Sequence, residues 1–207
     1  ILQPDLGQTL LIGLSWLILI FVSGINLFLL ISMSVIGIIS LLYIALYVPK
    51  FEYIKNRLLS FFDTETGTHN FQSDKALDSI MSGGFFGKGI GEGILKNRVP
   101  EAHTDYIISV ISEEFGVITI ILILVLFLVF IFSILKKVNK ENDNKVKLIL
   151  VGSASLILIQ AMIHIGVNIR LLPTTGMTLP FLSYGGSSII STSIFSGIIL
   201  NLTKRRV

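Results

Sequence analysis

The residues best suited to chemistry lie where a long polar segment enters an apolar one, in the run Pro-Glu-Ala-His-Thr-Asp at 100–105. A carboxylate at such a boundary can be tuned by desolvation or by nearby cations until it accepts protons, so Asp105 is a candidate general base. Thr104 or Asp105 could instead be the N-cap of the helix that follows. The residue types leave both roles open.

Two more carboxylates, Glu113 and Glu114, follow in the same apolar stretch. Ionisable groups are costly in hydrocarbon and mark functional sites by default. Helical spacing predicts one face, turned toward protein or water, that carries Asp105, Ser109, Ser112, Glu113 and Gly116. The two glutamates are therefore predicted either to contact a substrate or to accept hydrogen bonds from loop amides in a structural role.

Glycine dominates residues 83–93, and the cations Lys88, Lys96 and Arg98 lie in this segment or just after it. Backbone N–H groups of such a segment can surround an anion while the cations neutralise phosphate. The spacing matches neither the dinucleotide-binding fingerprint nor the P-loop. A flexible tether has the same composition, so both interpretations stay open.

A second polar run spans residues 172–188, where prolines, glycines and hydroxyls interrupt an apolar context. Irregular backbone is tolerated in a membrane only where it is buried in protein or lines a cavity, which predicts a re-entrant element. The small residues at 185–188 could equally serve close helix packing. His164, just before this run, is predicted to be an interior hydrogen-bonded group, because no second metal ligand stands at helical spacing beside it.

The composition is that of an integral membrane protein. Hydrophobic residues make up 52% of the 207 residues, charged residues 14%, and the mean hydropathy is +0.83, whereas about a quarter of residues in soluble domains are charged. Apolar stretches near the roughly 20 residues that cross a bilayer predict an all-α fold. Five spans are expected, at 9–22, 27–48, 106–135, 148–167 and 188–202.

The spans divide the chain into three parts. Two transmembrane helices fill 1–48, an extracytoplasmic loop fills 49–104, and three transmembrane helices with the re-entrant run fill 105–207. Basic residues at 136–147 and 204–206 are expected on the cytoplasmic side, which puts the loop and Asp105 on the outer face. The loop is predicted to carry a short helix on the membrane surface, capped by Ser73, with an apolar face. That face comprises Phe71, Ala76, Leu77, Ile80 and Met81.

The absence of cysteine excludes disulfides and thiolate metal sites. The chain starts at the edge of a span with no signal sequence, which suggests part of a longer protein.

Five runs together resemble the SEDS family (shape, elongation, division and sporulation), and its FtsW branch more than its RodA branch. They are Gln-Pro-Asp-Leu-Gly at 3–7, Phe-Gln at 71–72 with Ser-Gly-Gly at 82–84, the run at 100–105, Glu-Glu-Phe-Gly at 113–116 and Leu-Pro-Phe-Leu-Ser-Tyr-Gly-Gly-Ser-Ser at 179–188. The resemblance covers the whole chain. It implies the C-terminal half of a fold with about ten spanning helices.

The resemblance implies a peptidoglycan glycosyltransferase that polymerises lipid II at the outer face of the bacterial cytoplasmic membrane during division. Its partners would be a class B penicillin-binding transpeptidase, other division proteins and membrane lipid; no nucleic acid is expected. Asp105 matches the family's essential extracytoplasmic aspartate and would be the general base in an inverting reaction that expels a polyprenyl pyrophosphate. A divalent cation, Mg or Mn, could help to offset the charge of that leaving group.

The residues predicted to contact the substrate are Lys88, Lys96, Arg98, His103, Glu113, Glu114, Arg170, Thr175, Ser183 and Ser187. This sequence departs from the usual family pattern at four positions. Thr175 stands where many FtsW-type members carry Lys, Arg170 where Gly is usual, His164 where Asn is common and Phe71 where Tyr is frequent. Arg170 is predicted to supply the positive charge that Thr175 lacks.

Two other classes of function fit part of the pattern. A flippase for lipid-linked precursors would also use discontinuous helices and buried carboxylates, but it needs access from both faces, whereas the ionisable groups here concentrate outside. A scaffold that recruits division proteins would leave Asp105 without a role.

Overall fold

The computed structural model describes residues 5–62, 71–95 and 99–204, whose regular secondary structure is entirely helical. The helices are α1 (Leu6–Val22), α2 (Leu27–Tyr47), α3 (Glu52–Phe62), α4 (Phe71–Gly83), α5 (Ile107–Phe115), α6 (Val117–Val138), α7 (Asn144–Asn168) and α8 (Gly186–Thr203), with a 3₁₀ turn at Pro49–Phe51. Within the described residues, α2, α6, α7 and α8 are long and apolar enough to cross a membrane, and α1 is a shorter apolar helix. The prediction of an all-α membrane fold is confirmed.

The predicted third span, 106–135, is wrong as a single helix, because the chain breaks at Gly116 into α5 and α6. Gly116 has φ of 82°, a conformation that favours glycine. A Cβ there would stand 2.1 Å from the carbonyl oxygen of Phe85. The glycine-rich segment thus packs directly on the break, and the carbonyls of Gly84 and Phe85 accept hydrogen bonds from the first amides of α6, Val117 (3.0 Å) and Ile118 (3.4 Å).

Helix α4 packs against α5 and α7, and of the predicted apolar face Ala76 and Ile80 take part in this packing. Its buried residues are Ser73, Ala76, Ser79 and Gly83, whereas Phe71 is 50% and Met81 72% exposed. The predicted start was also wrong, because Ser73 lies inside the helix. Small residues let the backbones of α4 and α5 approach each other closely. At Gly83, a Cβ would lie only 2.0 Å from the Ser112 carbonyl oxygen.

Helix α7 is the central element and contacts α1, α4, α5, α6 and α8. Its buried surface includes polar groups such as Ser155, whose hydroxyl donates to the Gly152 carbonyl (2.9 Å) within the same helix. Hydrogen bonds of this kind satisfy polar side chains that cannot reach water. One end of α7 lies beside α4, α5 and the chain that links α7 to α8.

The chain between α7 and α8 is non-helical over residues 171–185 and is partly buried. Thr175, Met177 and Ser183 are each at most 6% exposed. A Cβ on Gly7 of α1 would lie 2.9 Å from the carbonyl oxygen of Thr175, so glycine is required for this contact. This segment, called the linker segment below, meets the turn that contains Asp105.

Candidate active site

The turn at residues 101–106 is organised by one carbonyl. The Glu101 oxygen accepts hydrogen bonds from the amides of Thr104 (3.1 Å), Asp105 (3.1 Å) and Tyr106 (3.3 Å). Glu101 itself has φ of 55°, which is uncommon for a residue with a side chain. Tyr106 is the N-cap of α5 and no side-chain hydrogen bond caps that helix. The alternative that Thr104 or Asp105 serves as the cap is therefore wrong.

Asp105 is half-buried beside the linker segment. Its Oδ2 lies 3.6 Å from the position that a Cβ on Gly176 would occupy, and Gly176 has a φ of 69°. The next residue, Tyr106, is 2% exposed and packs in a core cluster that includes Met177 and Ile163. The buried Tyr106 thus anchors the main chain next to the carboxylate, which lies close to Gly176.

The electrostatic surroundings favour the protonated form of Asp105. Burial raises the pKa of the Asp105 carboxyl above its ordinary value, the nearby charge of Glu101 raises it further, and the Arg57 guanidinium opposes both. Burial and the charge of Asp105 raise the pKa of Tyr106 to about 12. A carboxylate with a raised pKa is a stronger base than an exposed aspartate.

Arg57 is the functional candidate that sequence reasoning missed. It lies on α3, and its Nη1 donates a hydrogen bond to the Thr174 carbonyl in the linker segment (3.1 Å). The same guanidinium lowers the pKa of Asp105. No motif accompanies Arg57 in the sequence, so its side-chain type was the only available signal.

The glycine-rich segment does surround an anion, and that anion is the protein's own Glu113. The fully buried carboxylate accepts hydrogen bonds from the amides of Ile94 and Leu95 (both 3.0 Å) and from the Ser79 hydroxyl (3.0 Å), with Lys88 Nζ at 3.4 Å. A Cβ on Gly93 would stand 2.9 Å from its Cδ, so the glycine admits the carboxylate. This geometry matches the structural role predicted as one alternative for Glu113, in which its carboxylate accepts hydrogen bonds from loop amides.

Lys88 and Glu114 take part in the same arrangement. The Lys88 amide donates to the Glu113 carbonyl (2.9 Å), and the Gly91 amide donates to the Glu114 carboxylate (3.1 Å). These contacts hold the segment on α5 and leave no free surface on Glu113, which is fully buried. The substrate roles of Lys88 and Glu114 stay predictions. Lys96 and Arg98, predicted as substrate-binding cations, lie outside the described residues.

Arg170, predicted to supply the positive charge that Thr175 lacks, forms an ion pair within the protein. Its guanidinium pairs with the Asp74 carboxylate on α4 at 2.6 Å, so its charge is already offset. Arg170 has a φ of 58°, a conformation that favours glycine, which explains why glycine is usual at this position in the family pattern. Thr175 is 6% exposed and its hydroxyl has no hydrogen-bond partner among the described residues. The predicted charge replacement stays a prediction, and it would require Arg170 to share its charge between Asp74 and the substrate.

The remaining predicted residues divide between surface and interior. His103 is exposed and lines an open cleft of about 790 Å³ together with Glu101, Glu114 and Tyr184, while Ser187 is exposed in the first turn of α8. Ser183 is buried, and its hydroxyl contacts protein groups described below. His164 is fully buried with Nδ1 2.7 Å from the Met177 carbonyl, in agreement with its predicted interior role.

No group of three or more His, Cys, Asp or Glu side chains that could hold a metal ion lies among residues 5–62, 71–95 and 99–204. Magnesium is commonly held by one or two carboxylates together with substrate phosphates. Asp105 and Glu101 could hold a divalent cation only in this way, together with the phosphates of a bound substrate. The divalent cation therefore stays a prediction.

Comparison with known proteins identifies the family. A family model described as "Cell cycle protein", which covers FtsW, RodA and SpoVE, matches residues 1–207. The chain belongs to this family. The probable peptidoglycan glycosyltransferase FtsW of Caulobacter vibrioides is 35% identical over 207 residues, which are 100% of this chain and 52% of that protein. The Enterococcus hirae protein of the same name is 36% identical over 160 residues, 76% of this chain and 40% of that protein.

Solved structures give the same fold. A chain from a peptidoglycan synthase complex described for its coordination of polymerization and crosslinking matches with a TM-score of 0.77 and 26% identity, over 98% of this chain and 56% of that one. A crystal structure of a RodA variant from Thermus thermophilus matches with a TM-score of 0.61 and 25% identity, over 98% and 51%. The chain spans about half the length of the curated relatives it matches. The family and the apolar helices together show a multi-pass membrane protein.

Proposed function

We propose that the complete protein is a peptidoglycan glycosyltransferase that polymerises lipid II during cell division, with Asp105 as general base. One observation carries the proposal. The half-buried Asp105 carboxylate, whose pKa is raised, stands in a turn fixed by main-chain hydrogen bonds at one end of a bundle of apolar helices. The relatives named as probable peptidoglycan glycosyltransferases support this chemistry.

In the proposed step, the Asp105 carboxylate takes the proton of the acceptor sugar's 4-hydroxyl. The hydroxyl oxygen then forms a bond to the anomeric carbon of the other chain. The bond from that carbon to the pyrophosphate oxygen breaks, and the polyprenyl pyrophosphate leaves with the electron pair and with inversion. The Arg57 guanidinium opposes the rise in the pKa of Asp105 and so favours the ionised form that accepts the proton.

The site is proposed to face the outside of the cytoplasmic membrane. Helix α7 ends and α8 begins at the linker segment, and α6 begins where α5 ends. The other ends of these three helices carry Lys136, Lys137, Lys145 and Lys204. Cationic span ends are retained in the cytoplasm. The catalytic end would therefore be extracytoplasmic.

A lipid-linked substrate also needs an apolar surface. A groove of about 640 Å³ between α1, α2 and α7 is lined by residues including Phe21, Leu30, Met162 and Leu171. It lies toward the end of α7 that meets the linker segment. Such a groove suits a polyprenyl tail.

A class B penicillin-binding transpeptidase is the proposed partner. The solved complex that this chain resembles couples polymerization with crosslinking, and crosslinking is the reaction of a transpeptidase. Other division proteins are proposed as further partners on the basis of the family's description as cell cycle proteins.

The test is to place the purified complete protein and its transpeptidase in liposomes with fluorescent lipid II on the side that the site faces. Glycan chains on a gel are expected. Translocation of the label across the bilayer without glycan chains would contradict the proposal and favour the flippase. Neither product would favour the scaffold.

A further inference from the structure

We propose that Asn168 and Ser183 are positioning residues that clamp the main chain around Asp105 and so fix its carboxylate. This inference rests on the proposed role of Asp105 as general base. It adds two side chains, from two different parts of the chain, whose effect on the reaction would pass through Asp105.

Three consecutive carbonyls, at residues 103–105, each accept one hydrogen bond from α7 or the linker segment. The His103 carbonyl accepts from the Tyr184 amide (2.9 Å), the Thr104 carbonyl from the Ser183 hydroxyl (2.7 Å), and the Asp105 carbonyl from Asn168 Nδ2 (3.0 Å). The amides of residues 104 and 105 already bond to the Glu101 carbonyl. Every main-chain polar group of those two residues is therefore engaged.

Both donor side chains are themselves held in place. Ser183 is 3% exposed and its oxygen accepts a hydrogen bond from the Leu179 amide (2.8 Å). Asn168 is fully buried, and its Nδ2 also donates to the His164 carbonyl (2.9 Å), which fixes the direction of the amide group. Nδ2 of Asn168 and the Ser183 hydroxyl each make two hydrogen bonds, whereas Asn168 Oδ1 has no partner among the described residues. Polar groups held by two hydrogen bonds in the protein interior are restrained. They can therefore hold the turn at one position.

The position of the turn matters because of what a general base must reach. A base has to stand within about 2.6–3.2 Å of the oxygen whose proton it takes, and a displacement of about 1 Å can cost about 100-fold in rate. Both clamp side chains are buried, so their removal takes no exposed group away from the surface around Asp105. The expected effect is therefore on kcat far more than on KM.

The test uses the complete protein with its transpeptidase and lipid II, in the variants Ser183→Ala and Asn168→Leu. Each is expected to lower kcat by about 10- to 100-fold with a KM close to that of wild type. Ser183→Thr keeps the hydroxyl and should recover much of the rate. The matched control is Ser155→Ala, which removes a buried serine hydroxyl on α7 that bonds only within its own helix and should leave kcat unchanged.

A second readout does not depend on activity. Hydrogen–deuterium exchange of a peptide covering 101–106 should be faster in Ser183→Ala and Asn168→Leu than in wild type, and unchanged in Ser155→Ala. Unchanged exchange in both clamp variants would overturn the clamp. Faster exchange with unchanged kcat would overturn its role in positioning the base. If wild type makes no glycan, the proposed function fails, and the exchange data still decide whether the clamp exists.

Discussion

Glu113→Gln is expected to loosen the glycine-rich segment, because the buried carboxylate holds two of its amides. Glutamine keeps the shape and removes the charge. Hydrogen bonds to charged groups are worth about 1.5–3 kcal/mol and neutral ones about 0.5–1.5 kcal/mol, so the bonds from Ile94 and Leu95 should each lose about 1 kcal/mol. The partly exposed Lys88 pair adds about 0–1 kcal/mol. The expected total is about 2–3 kcal/mol.

The assay is hydrogen–deuterium exchange of a peptide covering 91–95 in the complete protein. If exchange follows local opening, about 2–3 kcal/mol corresponds to roughly 30- to 150-fold faster exchange. Glu92→Gln is the matched control, since it makes the same charge change at an exposed carboxylate in the same segment. Equal exchange rates in Glu113→Gln and wild type would refute the reasoning that this carboxylate holds the segment.

Three further predictions follow from particular contacts. Glu101→Gln removes a charge that raises the pKa of Asp105, the proposed general base. Since the ionised form is the active one, the acidic limb of the kcat/KM profile should move to lower pH; an unmoved limb would contradict this. Gly116→Ala, with its Cβ 2.1 Å from a carbonyl oxygen, should lower the thermal midpoint, whereas Gly37→Ala meets open space and should not. Arg170→Asp should destabilise the protein, and adding Asp74→Arg should restore its stability. A double-mutant cycle measured by thermal unfolding should give a coupling energy of about 1 kcal/mol or less. A coupling energy of zero would mean that the ion pair contributes nothing to stability.

The spanning helices could be predicted because apolar length alone determines them. Helices α7 and α8 begin and end within a few residues of the predicted spans. The break at Gly116 could not be predicted in this way, since a single glycine is tolerated in an apolar helix. Its cause is the segment around Phe85, about thirty residues earlier, which packs against the break. Such a long-range contact leaves no local pattern.

The kind of interaction that a side chain makes was easier to predict than the group that it contacts. The glycine-rich segment was predicted as a candidate anion-binding loop, and the structure shows that the anion is Glu113. Ser183 was predicted as a polar contact, but its type could not reveal that its hydroxyl bonds the Thr104 carbonyl. Arg170 was predicted to supply the positive charge that Thr175 lacks, and only the fold brings Asp74 to it. In each case the type of the side chain indicated the kind of interaction, and the fold determined which group the side chain contacts.

The most direct measurement is lipid II polymerisation by the complete protein with its transpeptidase, comparing wild type with Asp105→Asn. Asn keeps the shape of the side chain and cannot act as a base, so no glycan chains are expected from a folded variant. Asp78→Asn, which makes the same change at an exposed carboxylate on α4, should polymerise like wild type. Glycan chains of equal amount from Asp105→Asn and wild type would contradict the central claim that Asp105 is the general base.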